Sequence, residues 1–188
     1  MTHAEFAIET KPDLEDAGLR VLYEYWLELG GAACGLPSLQ SFDPLHLPRL
    51  LPNMWIIEVA PETRLFRMRL TGEDINAIYG RNIAGQYFRD IFEPSDVATI
   101  VGRYRRALGE PAVFHASGSV YAAGGRLSVG ERLGLPMVGR SGGTDTLLGA
   151  TIARDRFEMI APVLVARDQP AFHRIRAANH QPVEIAGS

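Results

Sequence analysis

Residues 54–92, MWIIEVAPETRLFRMRLTGEDINAIYGRNIAGQYFRDIF, decide the fold of this chain. Two short strand-like runs flank Pro61-Glu62-Thr63-Arg64. The first places Trp55, Ile57 and Val59 on one face; the second sets Phe66, Met68 and Leu70 against Arg67 and Arg69. A period of two with arginines on the other side predicts an antiparallel pair, buried on one face and wet on the other. The four-residue connection makes the pair a hairpin. After Gly72 the spacing changes: Ile75, Ile78 and Tyr79 follow a helical period, Gly80 stops it, and Gly85 makes a second turn. Tyr87, Phe88, Ile91 and Phe92 then supply another apolar cluster. A hairpin with small helices folded over one face makes a cup.

The order of these motifs resembles the front half of a PAS domain: Gly72-Glu73-Asp74, then Tyr79-Gly80-Arg81-Asn82 with Gly85, then Phe92-Glu93-Pro94-Ser95-Asp96. The approach from Pro37 to Pro52, with Asp43-Pro44, Leu47-Pro48 and Leu50-Leu51-Pro52, is similar to that of small free-standing bacterial PAS-domain proteins. Arg132-Leu133-Gly134-Leu135-Pro136-Met137 is similar to a strand of the same group. The resemblance covers residues 37–153 and implies a non-catalytic sensory, signalling or interaction module that works through a partner protein.

Length and composition set the outer bounds. A chain of 188 residues, 46% hydrophobic and 22% charged, suits one globular domain with extensions. A net charge of −3 creates no basic field for nucleic acid. The single Cys34 leaves no internal disulfide or multi-cysteine zinc site. No apolar run approaches the roughly 18 residues of a membrane span. With Glu5 and Glu9 near the start and no apolar leader, a cytoplasmic setting is expected.

Three regions follow: a lead-in and amphipathic helix (1–36), a PAS-like domain (37–153) and a C-terminal extension (154–188). The helix is expected from Asp13, with Asp13 as cap and Gly30-Gly31 as stop. Its apolar stripe includes Leu14, Val21, Leu22, Tyr25, Trp26 and Leu29. It packs on the sheet of its own chain, pairs with a second copy through Leu22, Tyr25, Trp26 and Leu29, or does both. The prolines of residues 31–53 leave room for one-turn helices only, and Leu45, Leu47, Leu50 and Leu51 are expected to close one end of the cup. Ser95 or Asp96 caps a longer helix reaching Leu108.

Residues 112–122, 126–138 and 146–152 read as three further strands joined by glycine-rich turns at 124–125 and 141–145. Phe114, Ala116 and Val120 take the inner parity of the third strand, His115 and Tyr121 the outer. In the fourth, Val129, Leu133, Leu135 and Met137 share the apolar parity, Glu131 breaks it, and Arg132 falls on the other side. The total is an α+β fold: five antiparallel strands, with helices between the second and third. Residues 154–188 contain an apolar run, Phe157 to Val165, and a basic stretch ending in Gly-Ser that reads as a mobile tail.

No nucleophile elbow, phosphate loop or metal-binding histidine pair is present. Among cofactors that the resemblance implies, an adduct-forming flavin needs a cysteine after the second strand, and haem needs a histidine on the helical side. Cys34 precedes the sheet and residues 73–108 contain no histidine, so both are disfavoured and no other cofactor is indicated. The expected wall of the cup is Trp55, Phe66, Met68, Ile75, Ile78, Tyr79, Phe88, Phe92, Tyr104, Phe114, Val129 and Leu133, with Glu131, Tyr79, Tyr104 or Asn76 as polar groups. These residues either fill the space among themselves or enclose a small apolar ligand. An enzyme or carrier on a similar fold would use Glu131, His115 or Tyr121 as acid-base groups. An inward Glu–His pair within hydrogen-bond reach would favour it.

Overall fold

The sheet of this protein is apolar on both faces, and each face recruits its own cover. The computed structural model describes residues 7–31, 35–123, 126–158, 169–176 and 184–186. In chain order the elements are β1 (Ala7–Ile8), α1 (Ala17–Trp26), β2 (Met54–Val59), β3 (Phe66–Thr71), α2 (Glu73–Tyr79), α3 (Phe88–Ile91) and α4 (Pro94–Gly109). The long strands β4 (Ala112–Ala123), β5 (Arg126–Met137) and β6 (Thr146–Glu158) follow, then β7 (Gln169–Arg176). The sheet order is β1-β7-β4-β5-β6-β2-β3, and every neighbouring pair is antiparallel.

The five expected strands are therefore present in sequence, with the helices between β3 and β4. The strand tally differs from the expectation of five, because β7 lies beside β4 and carries two-residue β1 on its outer side. Part of the C-terminal extension is thus a strand, its backbone amides and carbonyls engaged by β4. The expected turn at 124–125, the run 159–165, Cys34 and most of the tail lie outside the described residues.

The first cover is α1. Its cap is Asp16 rather than Asp13: the Asp16 carboxylate accepts from the amides of Gly18 (2.7 Å) and Leu19 (3.2 Å). Gly18 fits because a Cβ there would lie 3.1 Å from both Asp16 Oδ1 and the Leu50 side chain. Leu19, Leu22 and Trp26 are fully enclosed by Met54, Val113, Leu133, Leu135, Met137 and Leu148. The Trp26 indole N–H donates to the Pro136 carbonyl at 3.2 Å. The helix continues into a wider turn, Leu27–Gly31, and ends where Gly30 takes φ +86°.

One-turn helices at Leu39–Ser41, Pro44–His46 and Leu51–Asn53 match the proline spacing. Contrary to the expectation from the sequence, their leucines do not close the cup. Leu47 and Leu50 join the α1 face, and Leu45 is exposed.

The opposite face is covered by α2, α3 and α4. The cap expected from Ser95 or Asp96 on α4 is replaced by Glu93, with Pro94 at the first helical position, where its missing N–H costs nothing. Val97, Ile100, Val101, Tyr104 and Leu108 form the buried stripe. The hairpin's outer face keeps part of its expected wetness. Half-buried Arg67 and Arg69 meet Glu58 at 2.6 and 3.4 Å there.

Leu22 and Trp26 offer no surface to a second copy, which corrects their expected place in a dimer interface. Tyr25 and Leu29 are half-buried. Trp26→Ala is expected to lower unfolding free energy by about 3–5 kcal/mol, the usual cost of emptying an aromatic core site. Chemical denaturation measures this, and a loss below about 1 kcal/mol would contradict the packing described.

Candidate functional site

The cup lies between the β2–β3 side of the sheet and the short helices. Ten of its expected wall residues meet there. Trp55, Phe66, Met68, Ile75, Phe88, Tyr104 and Phe114 are buried, and Ile78, Tyr79 and Phe92 pack against them. The rings interlock: Phe66–Phe88 stack at 5.4 Å, while Phe88–Phe92 (5.2 Å), Phe88–Tyr104 (5.8 Å) and Tyr104–Phe114 (5.6 Å) meet edge to face. The space left among Trp55, Met68, Tyr79, Phe88, Tyr104 and Arg132 is about 30 Å³. That is room for about one or two waters, and an order of magnitude below the roughly 300–1,000 Å³ of small-molecule sites.

Three expected wall residues are elsewhere. Leu133 and Glu131 point to the α1 face, and Val129 is partly buried outside both apolar clusters. Apolar parity on β5 marks the face beneath α1. The face toward the cup carries Gly130, Arg132 and Gly134, although the apolar parity was expected to form the cup wall. Small residues are required there: a Cβ on Gly134 or on Gly149 of β6 would come within 3.1 and 2.3 Å of the Trp55 ring. Glycines at alternate positions of β5 were the available signal for close approach by a large side chain.

Arg132 is the main polar group of this face. Its Nε donates to Thr151 Oγ1 at 3.0 Å, a second guanidinium N–H to the Val120 carbonyl, and its plane lies 4.9 Å from the Tyr121 ring centre. The Trp55 indole donates to the same Thr151 oxygen at 2.9 Å. Tyr121 was expected to point outward. An irregularity in the β4–β5 register between Ser119 and Tyr121 turns it inward, as β-bulges do. Burial pushes the phenols of Tyr79 and Tyr121 upward, partly opposed by Arg132. Asn76 is committed to structure, its side-chain oxygen accepting from Thr71 Oγ1 (2.8 Å) and the Ile83 amide (3.2 Å).

The second polar centre lies on the opposite face, at the start of α1. The Glu131 residue is 1% exposed. Its carboxylate accepts from the amides of Glu15 (3.0 Å) and Asp16 (2.8 Å), meets His115 Nε2 at 2.8 Å and faces Arg154 at 3.4 Å. Arg154 also holds Glu15 at 2.7 Å. An isolated buried carboxylate would be prohibitively costly; this one is stabilised by two backbone dipoles and two basic side chains. His115 belongs to this centre, away from the cup, beside His173 on β7 with ring centres 6.5 Å apart. His173 Nδ1 shares a 2.8 Å hydrogen bond with Thr10 Oγ1, and its buried Nε2 has no partner among the described residues. A Glu–His contact within hydrogen-bond reach therefore forms, but it serves the helix start and faces away from the cup.

Among the described residues no group of His, Cys, Asp and Glu is suited to a metal ion, and no helix is long and apolar enough to cross a membrane. The described residues thus form a cup of antiparallel strands roofed by short helices. The family model described as PAS domain matches residues 14–152, from the start of α1 into β6, and the chain belongs to that family. No curated protein matches the chain.

Two outcomes test this geometry. Phe66→Ala is expected to cost about 3–5 kcal/mol, because the rings around it leave no slack; a loss under about 1 kcal/mol by denaturation would mean an open cup. The second concerns pH. Burial lowers the His173 pKa from the ordinary imidazole value and His115 lowers it further, while the bond with Thr10 partly offsets them. Between the folded and unfolded values the unfolded chain binds more protons, so stability rises with pH there. The contribution is complete above about pH 6.5, the unperturbed value, and is lost as pH falls through the folded one. Melting curves should show His173→Gln flattening the acid-side loss; an unchanged pH profile would contradict this.

Proposed function

We propose that this PAS domain is a non-catalytic signalling and interaction module with a self-filled core, whose movable part is the start of α1. The observation that carries the reading is the 30 Å³ left in the cup. A ligand of ordinary size would have to displace aromatic rings that already satisfy one another. The start of α1, by contrast, is held to the sheet by the side chains of Glu131, through two amide hydrogen bonds, and Arg154, through Glu15. Residues 15–18 are exposed or half-buried, and segments with few buried apolar contacts open at lower free energy than the core. A partner that binds the undocked helix start better than the docked one shifts that equilibrium by the difference in its affinities.

Acid-base catalysis by Glu131 and His115 is the rival reading. It is weakened by the engagement of both Glu131 oxygens with α1 amides and by the placement of Tyr121 on the other face. A homodimer through this region would use the outer apolar residues Val21 and Tyr25 of α1 and Leu29 just after it.

Native mass spectrometry of freshly purified protein should give the bare polypeptide mass, and it reports subunit number at once. A retained small molecule would overturn the filled-core reading. Glu131→Gln keeps the shape but leaves an amide without its acceptor, at a cost of roughly 1–3 kcal/mol. Hydrogen exchange should quicken at residues 15–19 before the sheet is affected; uniform quickening would count against the start of α1 as the movable part.

A further inference from the structure

The segment Glu184–Ala186 is separated in sequence from everything it touches. Ile185 packs against the cup-side core. The Ala186 amide donates to the Arg64 carbonyl at 3.0 Å, and the Arg105 guanidinium donates to the Ala186 carbonyl at 2.8 Å. A short stretch of the chain is thus gripped by its backbone on both sides and by one apolar side chain. This is how extended peptides are recognised: main-chain hydrogen bonds supply affinity and a side-chain pocket supplies selectivity. The receiving surface is built for it. Arg64, in the β2–β3 turn, holds φ +59°, the only residue other than glycine with positive φ among those described, and it is its carbonyl that meets Ala186. Such outliers persist where the surroundings enforce them, often at binding sites.

The grip does not fill the surface. Leu65, next in the chain to Arg64, and Val101, one turn before Arg105 on α4, both line an apolar groove of about 350 Å³. Phe66, Tyr87, Phe88, Pro94, Val97 and Arg89 complete its lining. An apolar trough with one arginine in its lining thus lies near the seated segment Glu184-Ile185-Ala186, whose carbonyl side is held by a second arginine, Arg105.

We propose that this groove is a docking site for an extended acidic-apolar peptide of a partner protein, and that residues 184–186 occupy part of it in cis. The partner segment carries a branched apolar residue at the place of Ile185, a small residue after it, a carboxylate before it, and further apolar side chains for the open trough. The proposal extends the reading of the chain as an interaction module, and it is tested apart from it, since peptide docking and a filled cup are read by different measurements. A tethered segment competes at an effective concentration on the order of millimolar, so the seat between Arg64 and Arg105 is largely masked in the intact chain while the trough beside it stays open.

The probe is a fluorescein-labelled peptide of residues 181–188, QPVEIAGS, titrated by anisotropy against full-length protein. Ile185→Asp in the protein should unseat the cis segment and raise peptide affinity at least tenfold over the unmodified chain. Arg105→Ala added to that variant should reverse most of the gain, and a peptide carrying aspartate in place of Ile185 should not bind. Ala186→Pro, which removes the amide given to Arg64, provides an independent unseating variant. Equal affinity for unmodified and unseated proteins, or no binding to either unseated variant, would overturn the proposal.

Discussion

The middle strands β4, β5 and β6 carry apolar side chains on both faces, and neither face is stable against water. This constraint organises the molecule. One face draws α2, α3 and α4 over it; the other draws α1 and the proline-rich approach. A sheet wet on one side would have left α1 free as a detachable flank. Here its tryptophan and two of its leucines are as deeply enclosed as any residue of the cup, so undocking the whole helix means exposing a core.

Strand β5 ties the two faces together. Arg132 and Glu131 are neighbours in the chain and point to opposite sides of the sheet. Arg132 joins Thr151 and Tyr121 beneath the aromatic cup, while Glu131 receives the first amides of α1. The cup and the start of α1 therefore lean on one short stretch of backbone, closely packed on both sides.

The family match begins at Leu14 and so takes in α1, in keeping with a helix that buries the sheet's second face. The strand β7 and the seated Glu184–Ala186 lie beyond the match, at residues 169–176 and 184–186. Both act on elements within it. β7 extends the sheet beside β4 and brings His173 to His115; the seated segment bridges the β2–β3 turn and α4.

Periodicity alone carried much of the fold. The alternation of Phe66, Met68 and Leu70 with Arg67 and Arg69 gave a strand, the glycine turns gave its partners, and the 3.6-residue stripe of Val97 to Leu108 gave α4, because each of these patterns is local. Most of the cup wall followed, since aromatic residues in consecutive short elements have little choice but to meet. Which face β5 turns toward the cup is not a local property: alternation separates its two sides without saying what covers each. Only tertiary packing, with Trp55 lying against Gly134 and Gly149, set Arg132 inward and sent Leu133 and Glu131 to α1. The same holds for Glu131 itself. The sequence marked it as a charge on an apolar parity, but the helix start that satisfies it lies more than a hundred residues away in the chain, and only folding brings that distance to a hydrogen bond.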